Sequence, residues 1–206
     1  MFLDGLEDAY EEGRAMGTFA QETANDYQMT REEMDEYSIE SLRRANAAID
    51  SGAFADEVVP VTFSTRKGEV TVEHDEQPGK GRPDKIPQLR PAFAKDGTIT
   101  AATSSSISDG AAAVVLSRES VAKANGQQPV AKIVAMAAHA QEPAQFTVAP
   151  IGAIEKVLEK AGWSADEVEL WEVNEAFACV AMFAMRDIGI PHDRININGG
   201  GTALGH

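Results

Sequence analysis

The last nine residues of the chain constrain its folding more than any other segment. They read Asn198-Gly199-Gly200-Gly201-Thr202-Ala203-Leu204-Gly205-His206. Glycine adopts backbone angles that other residues avoid, so successive glycines allow a sharp turn and a close approach to a ligand. The turn ends on an imidazole, a group that generally exchanges protons near neutral pH. The run therefore predicts a catalytic loop in which Gly205 supports His206.

A second polar motif follows an apolar run. The run is Leu170-Trp171-Glu172-Val173, and Asn174-Glu175-Ala176-Phe177 comes directly after it. This pattern predicts a strand that leads into a helix, with the polar pair at the carboxyl end of the strand. In open α/β sheets, ligands bind at the carboxyl ends of the strands. The two motifs are therefore candidates for one site.

The first half of the chain has clear local signals. Thr30-Arg31-Glu32-Glu33 forms a capping box, which predicts the start of a helix that ends near Gly52. The pattern places apolar residues such as Met34 on one face and polar residues such as Asp35 on the other. Residues 57–63 and 69–73 are rich in Val and Thr and predict a β-hairpin. Residues 74–97 predict an irregular connection.

Strands and helices are predicted to alternate from residue 98 onward. Residues 111–116 and 130–137 are apolar runs that predict strands buried on both faces. A helix is predicted from about Pro150 to just before Gly162, and Ser164 is predicted to cap a short third helix. This alternation predicts a layered α/β fold.

Composition excludes several classes of partner. The chain has 18 basic and 33 acidic residues, for a net charge of −15. That balance disfavours nucleic acids and anionic membranes, because both require a concentrated positive surface. No apolar run is long enough to span a bilayer, and we expect a cytoplasmic protein. The single cysteine, Cys179, and four scattered histidines predict no metal site.

The order and spacing of the two motifs resemble the thiolase family. Further matching segments extend the resemblance over almost the whole chain; they include Met16-Gly17, Val59-Pro60-Val61, Leu89-Arg90-Pro91-Ala92-Phe93 and Ser108-Asp109-Gly110-Ala111. The resemblance implies a layered α/β/α/β/α fold, here incomplete, with a loop domain that contains helices and a β-hairpin. Residues 1–97 would be part of the loop domain, 98–125 the end of the N-terminal core domain, and 126–206 part of the C-terminal core domain.

The resemblance also implies an activity. Thiolases are acyl-CoA C-acyltransferases that cleave 3-ketoacyl-CoA by thiolysis or condense acyl-CoA units in the reverse Claisen reaction, a role in fatty acid metabolism. Coenzyme A and its thioesters are the substrates, and no prosthetic cofactor or metal is implied. The full-length protein would be a homodimer or homotetramer.

Individual roles carry over by matching positions. His206 would be a base and an oxyanion donor, and Asn174 would hold a water of the oxyanion hole, although Asn174 could also be the N-cap of the next helix. Glu175 is expected to play a supporting role, which also suits the dipole of that helix. The remaining matches are binding residues: Ser105 at the pantetheine arm, Arg82 near the adenine, and Met16, Phe146 and Phe177 along the acyl pocket. A polar turn at Ser105 and plain core packing of Met16 and the two Phe side chains are the alternatives.

The nucleophile expected of a thiolase is missing from the sequence. Cys179 lies within an apolar helical run, where cysteine usually packs as a small hydrophobic residue. We expect the nucleophilic cysteine before Met1 and a second reactive cysteine after His206, so the isolated chain should be inactive. Ala15 stands where many thiolases have histidine, which leaves the acyl chain length open.

Two other functions compete with the thiolase interpretation. The chain could be a non-catalytic thiolase-like module that binds acyl-CoA or lipid. Residues 198–205 could also be the phosphate-binding loop of a nucleotide enzyme, although no Lys-Ser or Lys-Thr pair follows the glycines.

Overall fold

The computed structural model of the chain describes residues 5–206, so the first four residues of the predicted loop domain lie outside the described residues. The described part contains a hairpin, β1 (Val61–Thr65) and β2 (Gly68–Val72), and several short 3-10 turns. None of its helices is both long and apolar enough to cross a membrane. The α-helices are α1 (Met16–Asp26), α2 (Arg31–Ser51), α3 (Glu76–Lys80), α4 (Glu119–Ala124), α5 (Ala149–Ala161), α6 (Ala178–Ile188) and α7 (Gly201–Leu204).

Helix α2 begins and ends where the sequence predicts. The Thr30 hydroxyl accepts a hydrogen bond from the Glu33 amide at 3.2 Å, and the Glu33 carboxylate accepts one from the Thr30 amide at 2.9 Å. Gly52 ends the helix in the left-handed conformation, with φ of 69°. These reciprocal bonds satisfy amides that have no partner within the helix, which confirms the predicted capping box.

Asp35 was predicted on the polar face of α2, and that prediction is wrong. Only 4% of the residue is exposed. Arg31, one turn earlier, donates to its carboxylate at 2.7 Å and also donates to the carbonyl oxygens of Ile86 and Leu89. Burial raises the pKa of Asp35 above its usual value, and the guanidinium opposes that shift. The ion pair therefore allows a charged residue to face the segment after α3.

The hairpin prediction is confirmed. β1 and β2 pair antiparallel, with Val61 opposite Val72 and Phe63 opposite Val70. All ten strand residues are exposed, because the hairpin extends away from the core. Residues 74–97 contain helix α3 and a 3-10 turn at Pro83–Gln88, which is more regular than predicted.

Helix α6 forms the centre of the main core. Its buried residues are Ala178, Cys179, Val180, Ala181, Phe183 and Ala184. Helices α2 and α5 both contact it. A helix that is apolar on most of its surface must be covered on several sides, and α6 meets this requirement.

The predicted helix at Pro150 is confirmed as α5, which ends at Gly162 with φ of 70°. Ser164 caps a short 3-10 turn at Ala165–Glu167 with a capping box, as predicted. The strand predicted at residues 170–173 is reduced to one parallel bridge, between Trp171 and Ile195.

Two predicted buried strands are wrong for this chain. Residues 111–116 and 130–137 form no strand in the described structure. Val115 is 97% exposed and Val130 is fully exposed. A strand that is apolar on both faces needs neighbouring strands and a covering layer, and residues 5–206 supply neither at these segments. The apolar pattern predicts buried segments, but the described residues do not cover them.

Candidate active site

The glycine run packs directly against helix α2. Gly199 has φ of 82°, and a Cβ atom there would lie 2.7 Å from both the Cβ of Ala45 and the carbonyl oxygen of Ser41. A Cβ on Gly200 would collide with the carboxylate of Glu175, and one on Gly201 would lie 2.9 Å from the carbonyl oxygen of Glu175. The glycines are therefore required by close packing inside the protein, as well as by the turn.

The Glu175 side chain lies at the centre of this packing. It is fully buried. Its Oε1 accepts hydrogen bonds from the Tyr37 hydroxyl at 2.8 Å and the Asn196 side-chain amide at 2.7 Å. Its Oε2 accepts from the Ser41 hydroxyl at 2.9 Å, the Thr202 amide at 3.1 Å and the Thr202 hydroxyl at 2.7 Å. Glu175 thus joins α2, the segment before α6 and the start of α7.

Glu175 was expected to lie in the first turn of the following helix and to suit its dipole, and that expectation is wrong. Helix α6 begins only at Ala178, with Phe177 as its N-cap, so Glu175 lies outside its first turn. The backbone amide that Glu175 binds belongs to Thr202, in α7. The carboxylate therefore stabilises the N-terminal turn of α7 rather than that of α6.

Sequence reasoning missed three of the four residues that bind Glu175: Tyr37, Ser41 and Asn196. Asn196 has φ of 46° and is 2% exposed. Its side chain accepts from the Val173 amide and donates to the Val173 carbonyl, both at 2.8 Å, so it holds the two segments together. Tyr37 and Ser41 lie four residues apart, one turn along α2. Two hydroxyl residues on the buried face of a helix were the signal that could have revealed them.

His206 lies against the serine-rich segment. Its Nδ1 atom is 2.5 Å from the Ser105 hydroxyl oxygen, and its amide donates to the Ser106 carbonyl at 2.9 Å. The Ser105 amide donates to the Ala176 carbonyl at 2.9 Å. Ser105 therefore connects the imidazole at the end of the glycine run to the segment that carries Asn174 and Glu175. Gly205 has φ of 85°, and a Cβ atom there would collide with Ser106 and Ser108.

Asn174 is exposed, two residues before the carbonyl that binds Ser105. The alternative that it is the N-cap of α6 is wrong, because Phe177 occupies that position without a side-chain cap. Its amide is open to solvent on a segment that Ser105 ties to His206. Its role in an oxyanion hole stays a prediction.

The residues predicted for the acyl pocket form an aromatic cluster. The Phe177 ring meets Phe93 edge-on, with 6.0 Å between centroids, and lies 6.5 Å from the Phe146 ring. Met16 starts α1, and a Cβ on the next residue, Gly17, would collide with the Phe93 ring. Phe146 and Phe93, which was not predicted for the pocket, therefore both lie against Phe177, and Met16 precedes the glycine that packs on Phe93. Their contact with a substrate stays a prediction.

Arg82 and Cys179 take no part in the hydrogen bonds described around His206. Arg82 is exposed at the start of the 3-10 turn Pro83–Gln88. None of the hydrogen bonds that His206 makes within residues 5–206 involves Arg82. Cys179 is fully buried, and burial raises the pKa of its thiol to about 12. A nucleophilic thiol needs a lowered pKa and access to solvent, so the prediction that Cys179 is structural is confirmed.

The other titratable groups near Glu175 are perturbed by burial. Burial and the neighbouring carboxylate raise the pKa of Tyr37, which keeps its hydroxyl a donor. His192 stacks on Tyr37 with 5.2 Å between ring centroids, and burial lowers its pKa. No group of three or more His, Cys, Asp or Glu side chains within residues 5–206 is arranged to hold a metal ion.

The arrangement suits proton transfer beside a carbonyl group. When Nδ1–H of His206 donates to Ser105, the Nε2 lone pair is free to accept a proton. The exposed amide of Asn174 and the glycine turn lie on the segments that Ser105 joins. An exposed imidazole held through Nδ1 and an exposed neutral amide on a neighbouring segment are groups that can serve general-base catalysis and oxyanion binding.

Comparison with known proteins agrees with this class of site. Residues 1–120 match the family model for the thiolase N-terminal domain, and residues 127–206 match the model for the thiolase C-terminal domain. The chain belongs to the thiolase family. Among curated relatives, an acetyl-CoA acetyltransferase from Yarrowia lipolytica is 47% identical to this chain over 203 residues. The aligned region covers 98% of this chain and 51% of that protein.

Solved structures show the same relationship. A thiolase from Ascaris suum in complex with coenzyme A superposes with a TM-score of 0.91 at 42% identity, covering 98% of this chain and 52% of that one. Human mitochondrial 3-ketoacyl-CoA thiolase superposes with a TM-score of 0.92 at 36% identity, covering all of this chain and 52% of that one. The predicted fold, an incomplete thiolase-like α/β fold, is confirmed. The chain spans about half the length of the curated relatives it matches.

Proposed function

We propose that this chain carries the base and the oxyanion-hole amide of an acyl-CoA C-acyltransferase. The reaction is thiolytic cleavage of 3-ketoacyl-CoA or the reverse condensation of acyl-CoA units. The hydrogen-bonded path from His206 through Ser105 to Ala176 carries this proposal, because it brings the two motif segments to one place. Membership of the thiolase family supports it.

In this mechanism, Nε2 of His206 accepts the proton of a thiol that attacks the 3-keto carbonyl in thiolysis or the thioester carbonyl of an acyl-CoA in the condensation direction. The adduct then expels the enolate of the shortened acyl-CoA in the first case, or the thiolate of coenzyme A in the second. The same imidazole, once protonated, donates a hydrogen bond to the developing oxyanion, and Asn174 holds a water that donates a second one. Ser105 keeps the ring in one orientation through Nδ1. The attacking thiol is not Cys179, because that side chain is fully buried. We propose that it lies outside these 206 residues.

A chimera tests the proposal. Residues 1–206 would replace the matching stretch of the acetyl-CoA acetyltransferase from Rhizobium meliloti, to which they are 46% identical over 207 residues. We expect the chimera to cleave acetoacetyl-CoA, and we expect His206→Ala to lower kcat/KM by about 10²- to 10⁴-fold, since a general base is lost. His74→Ala is the matched control, because the His74 side chain is 75% exposed. Full activity of His206→Ala, or loss of activity in Cys179→Ala, would contradict the proposal.

Asn174→Ala in the same chimera tests the oxyanion hole. We expect a loss of about 3 kcal/mol of transition-state stabilisation, seen mainly in kcat. An unchanged kcat would remove Asn174 from the mechanism and leave the role of His206 to be judged separately.

A non-catalytic module that binds acyl-CoA is the second candidate. The burial of the only thiol favours it for the isolated chain, which we expect to show no thiolysis of acetoacetyl-CoA above background. Calorimetric titration with acetyl-CoA, combined with an inactive chimera, would support this candidate. The phosphate-loop alternative is disfavoured because the Gly200 amide binds Ser41 and the Thr202 amide binds Glu175, so neither is free for a phosphate.

The remaining predictions derive from the resemblance. We propose coenzyme A and its thioesters as ligands, with Ser105, Arg82, Met16, Phe146 and Phe177 as binding residues, and the complex of the Ascaris relative with coenzyme A supports this. A homodimer or homotetramer, a role in fatty acid metabolism, the absence of a prosthetic cofactor and a cytoplasmic location stay predictions.

A further inference from the structure

The buried carboxylate of Glu175 is met by neutral donors. None of the ion pairs within residues 5–206 includes Glu175, and two half-buried arginines of α2 pair elsewhere, Arg31 with Asp35 and Arg44 with Glu40. Burying a charge is costly unless hydrogen bonds replace its water. Here five hydrogen bonds replace it, more than a side chain that only supports packing would need.

The direction of each hydrogen bond follows from the surrounding network. The Ser41 hydroxyl oxygen accepts from the Gly200 amide at 2.9 Å, so its proton is directed to Glu175. The Tyr37 hydroxyl oxygen is 3.3 Å from the Asn196 amide nitrogen, which donates to it, so its proton is also directed to Glu175. The N–H groups of backbone and side-chain amides can only donate. In all five contacts the Glu175 oxygens therefore act as acceptors.

The two carboxylate oxygens bind different parts of the protein. Oε1 binds Tyr37 and Asn196, which lie in the structural core. Oε2 binds Ser41 and both donors of Thr202. Thr202 belongs to α7, a single turn that is followed at once by Gly205 and His206. The far end of that turn is held by Ser105 and Ser106.

We propose that Glu175 is a positioning residue whose carboxylate oxygens fix α7 and, through α7, the orientation of the His206 imidazole on Ser105. Its importance for catalysis rests on the proposed function. The orientation itself can be measured without substrate, so failure of this inference and failure of the proposed function are distinguishable.

Nuclear magnetic resonance of the 206-residue chain, at a concentration where light scattering shows no association, tests the proposal. Glu175→Gln keeps the size of the side chain but turns one acceptor into a donor. We expect hydrogen exchange at the Thr202 amide to become about tenfold faster or more, and the ring nitrogen shifts of His206 to move towards those of a free imidazole. The His139 ring is the internal reference. Glu167→Gln is the matched control, because Glu167 also caps a short turn but lies far from α7 in sequence.

A second pair of variants separates positioning from general stability. Thr202→Val and Tyr37→Phe each remove one hydroxyl donor to Glu175. We expect Thr202→Val to shift the His206 ring nitrogens, and Tyr37→Phe to lower the free energy of unfolding while leaving those shifts in place. The proposal is overturned if Glu175→Gln and Thr202→Val both leave the His206 shifts unchanged, or if Tyr37→Phe moves them as far as Thr202→Val. If Glu175→Gln does not fold, the Thr202→Val and Tyr37→Phe comparison decides.

Discussion

At the scale of single residues, burial determines which side chains can react. Cys179 is fully buried within α6, and its thiol has a pKa raised to about 12. His206 is exposed, with only Nδ1 engaged by Ser105. The accessible imidazole and the inaccessible thiol belong to the same chain, so under the proposed function the chain would carry the base and would not supply the nucleophile.

The raised pKa of Cys179 predicts a pH effect on stability. The thiol ionises near pH 9 in the unfolded chain and near pH 12 in the folded one. The contribution of the neutral thiol is complete below pH 9 and is lost as the pH rises from about 9 to 12, because the unfolded chain releases its proton first. We expect the unfolding free energy of the wild type to fall by about 1 kcal/mol relative to Cys179→Ala between pH 8 and pH 10, measured by urea denaturation.

The comparison with Cys179→Ala removes the effect of the raised tyrosine pKa values, which both proteins share. The cavity left by alanine costs the same at each pH and cancels in the difference. A difference that does not change with pH would show that the thiol is not desolvated, and rapid labelling of native Cys179 by a thiol reagent would show the same.

The glycines with positive φ differ in their surroundings. Gly199 has φ of 82° and faces Ala45 and Ser41, whereas Gly189 has φ of 81° and no atom within 4 Å of the position that a Cβ would occupy. Gly189→Ala should cost about 1 kcal/mol from backbone strain alone. Gly199→Ala should cost at least about 2 kcal/mol more, because the loop must move away from α2. Equal losses of unfolding free energy in the two variants, measured by chemical denaturation, would show that the loop moves away from α2 at no free-energy cost.

At the scale of secondary-structure elements, capping determines where α2 starts. Thr30 and Glu33 satisfy each other's amides, and α2 presents Tyr37 and Ser41 to Glu175. The position of the helix therefore sets the position of the buried network. The capping box, a local sequence signal, therefore helps to position the residues of α2 that bind Glu175.

Thr30→Ala should lower the free energy of unfolding by about 1 kcal/mol, because the Glu33 amide loses its acceptor. Thermal and urea unfolding followed by circular dichroism would measure the loss. Thr30→Ser keeps the hydroxyl and should retain most of the stability. A loss as large in Thr30→Ser as in Thr30→Ala would mean that the methyl group, rather than the hydrogen bond, is responsible.

At the scale of the whole molecule, exposed apolar segments control behaviour in solution. Residues 111–116 are exposed and residues 130–137 mostly so, and neither segment pairs as a strand within the described residues. Unpaired extended apolar segments are templates for association with other chains. We expect the isolated 206-residue chain to associate as its concentration rises.

A double variant, Val115→Lys with Val130→Lys, should reduce this association. Tyr10→Lys with Val121→Lys is the matched control, since it makes the same change in charge at exposed apolar residues outside the two segments; Tyr10 is 82% exposed and Val121 47%. Light scattering over a concentration series would compare the two. Equal effects of both variants would assign the association to net charge rather than to the two segments.

Some elements were predictable from the sequence because their causes are local. The capping boxes at Thr30 and Ser164, the glycine ends at Gly52 and Gly162, and the hairpin depend on residues only a few positions apart. The motif residues His206 and Glu175 were also found from the sequence, since the glycine run and the polar pair are short and continuous. Their side-chain partners were not.

The sequence by itself therefore determined the start and end of α2 and α5, the hairpin and the family. Only the tertiary structure decided which polar groups are buried and what they bind: Tyr37 reaches Glu175 across 138 positions, and Ser105 reaches His206 across 101. It also decided that residues 111–116 are exposed and that Asp35 is buried. Hydrogen bonding within a helix turn depends on neighbours in sequence, whereas burial depends on which distant segments pack together, and no local pattern encodes that packing.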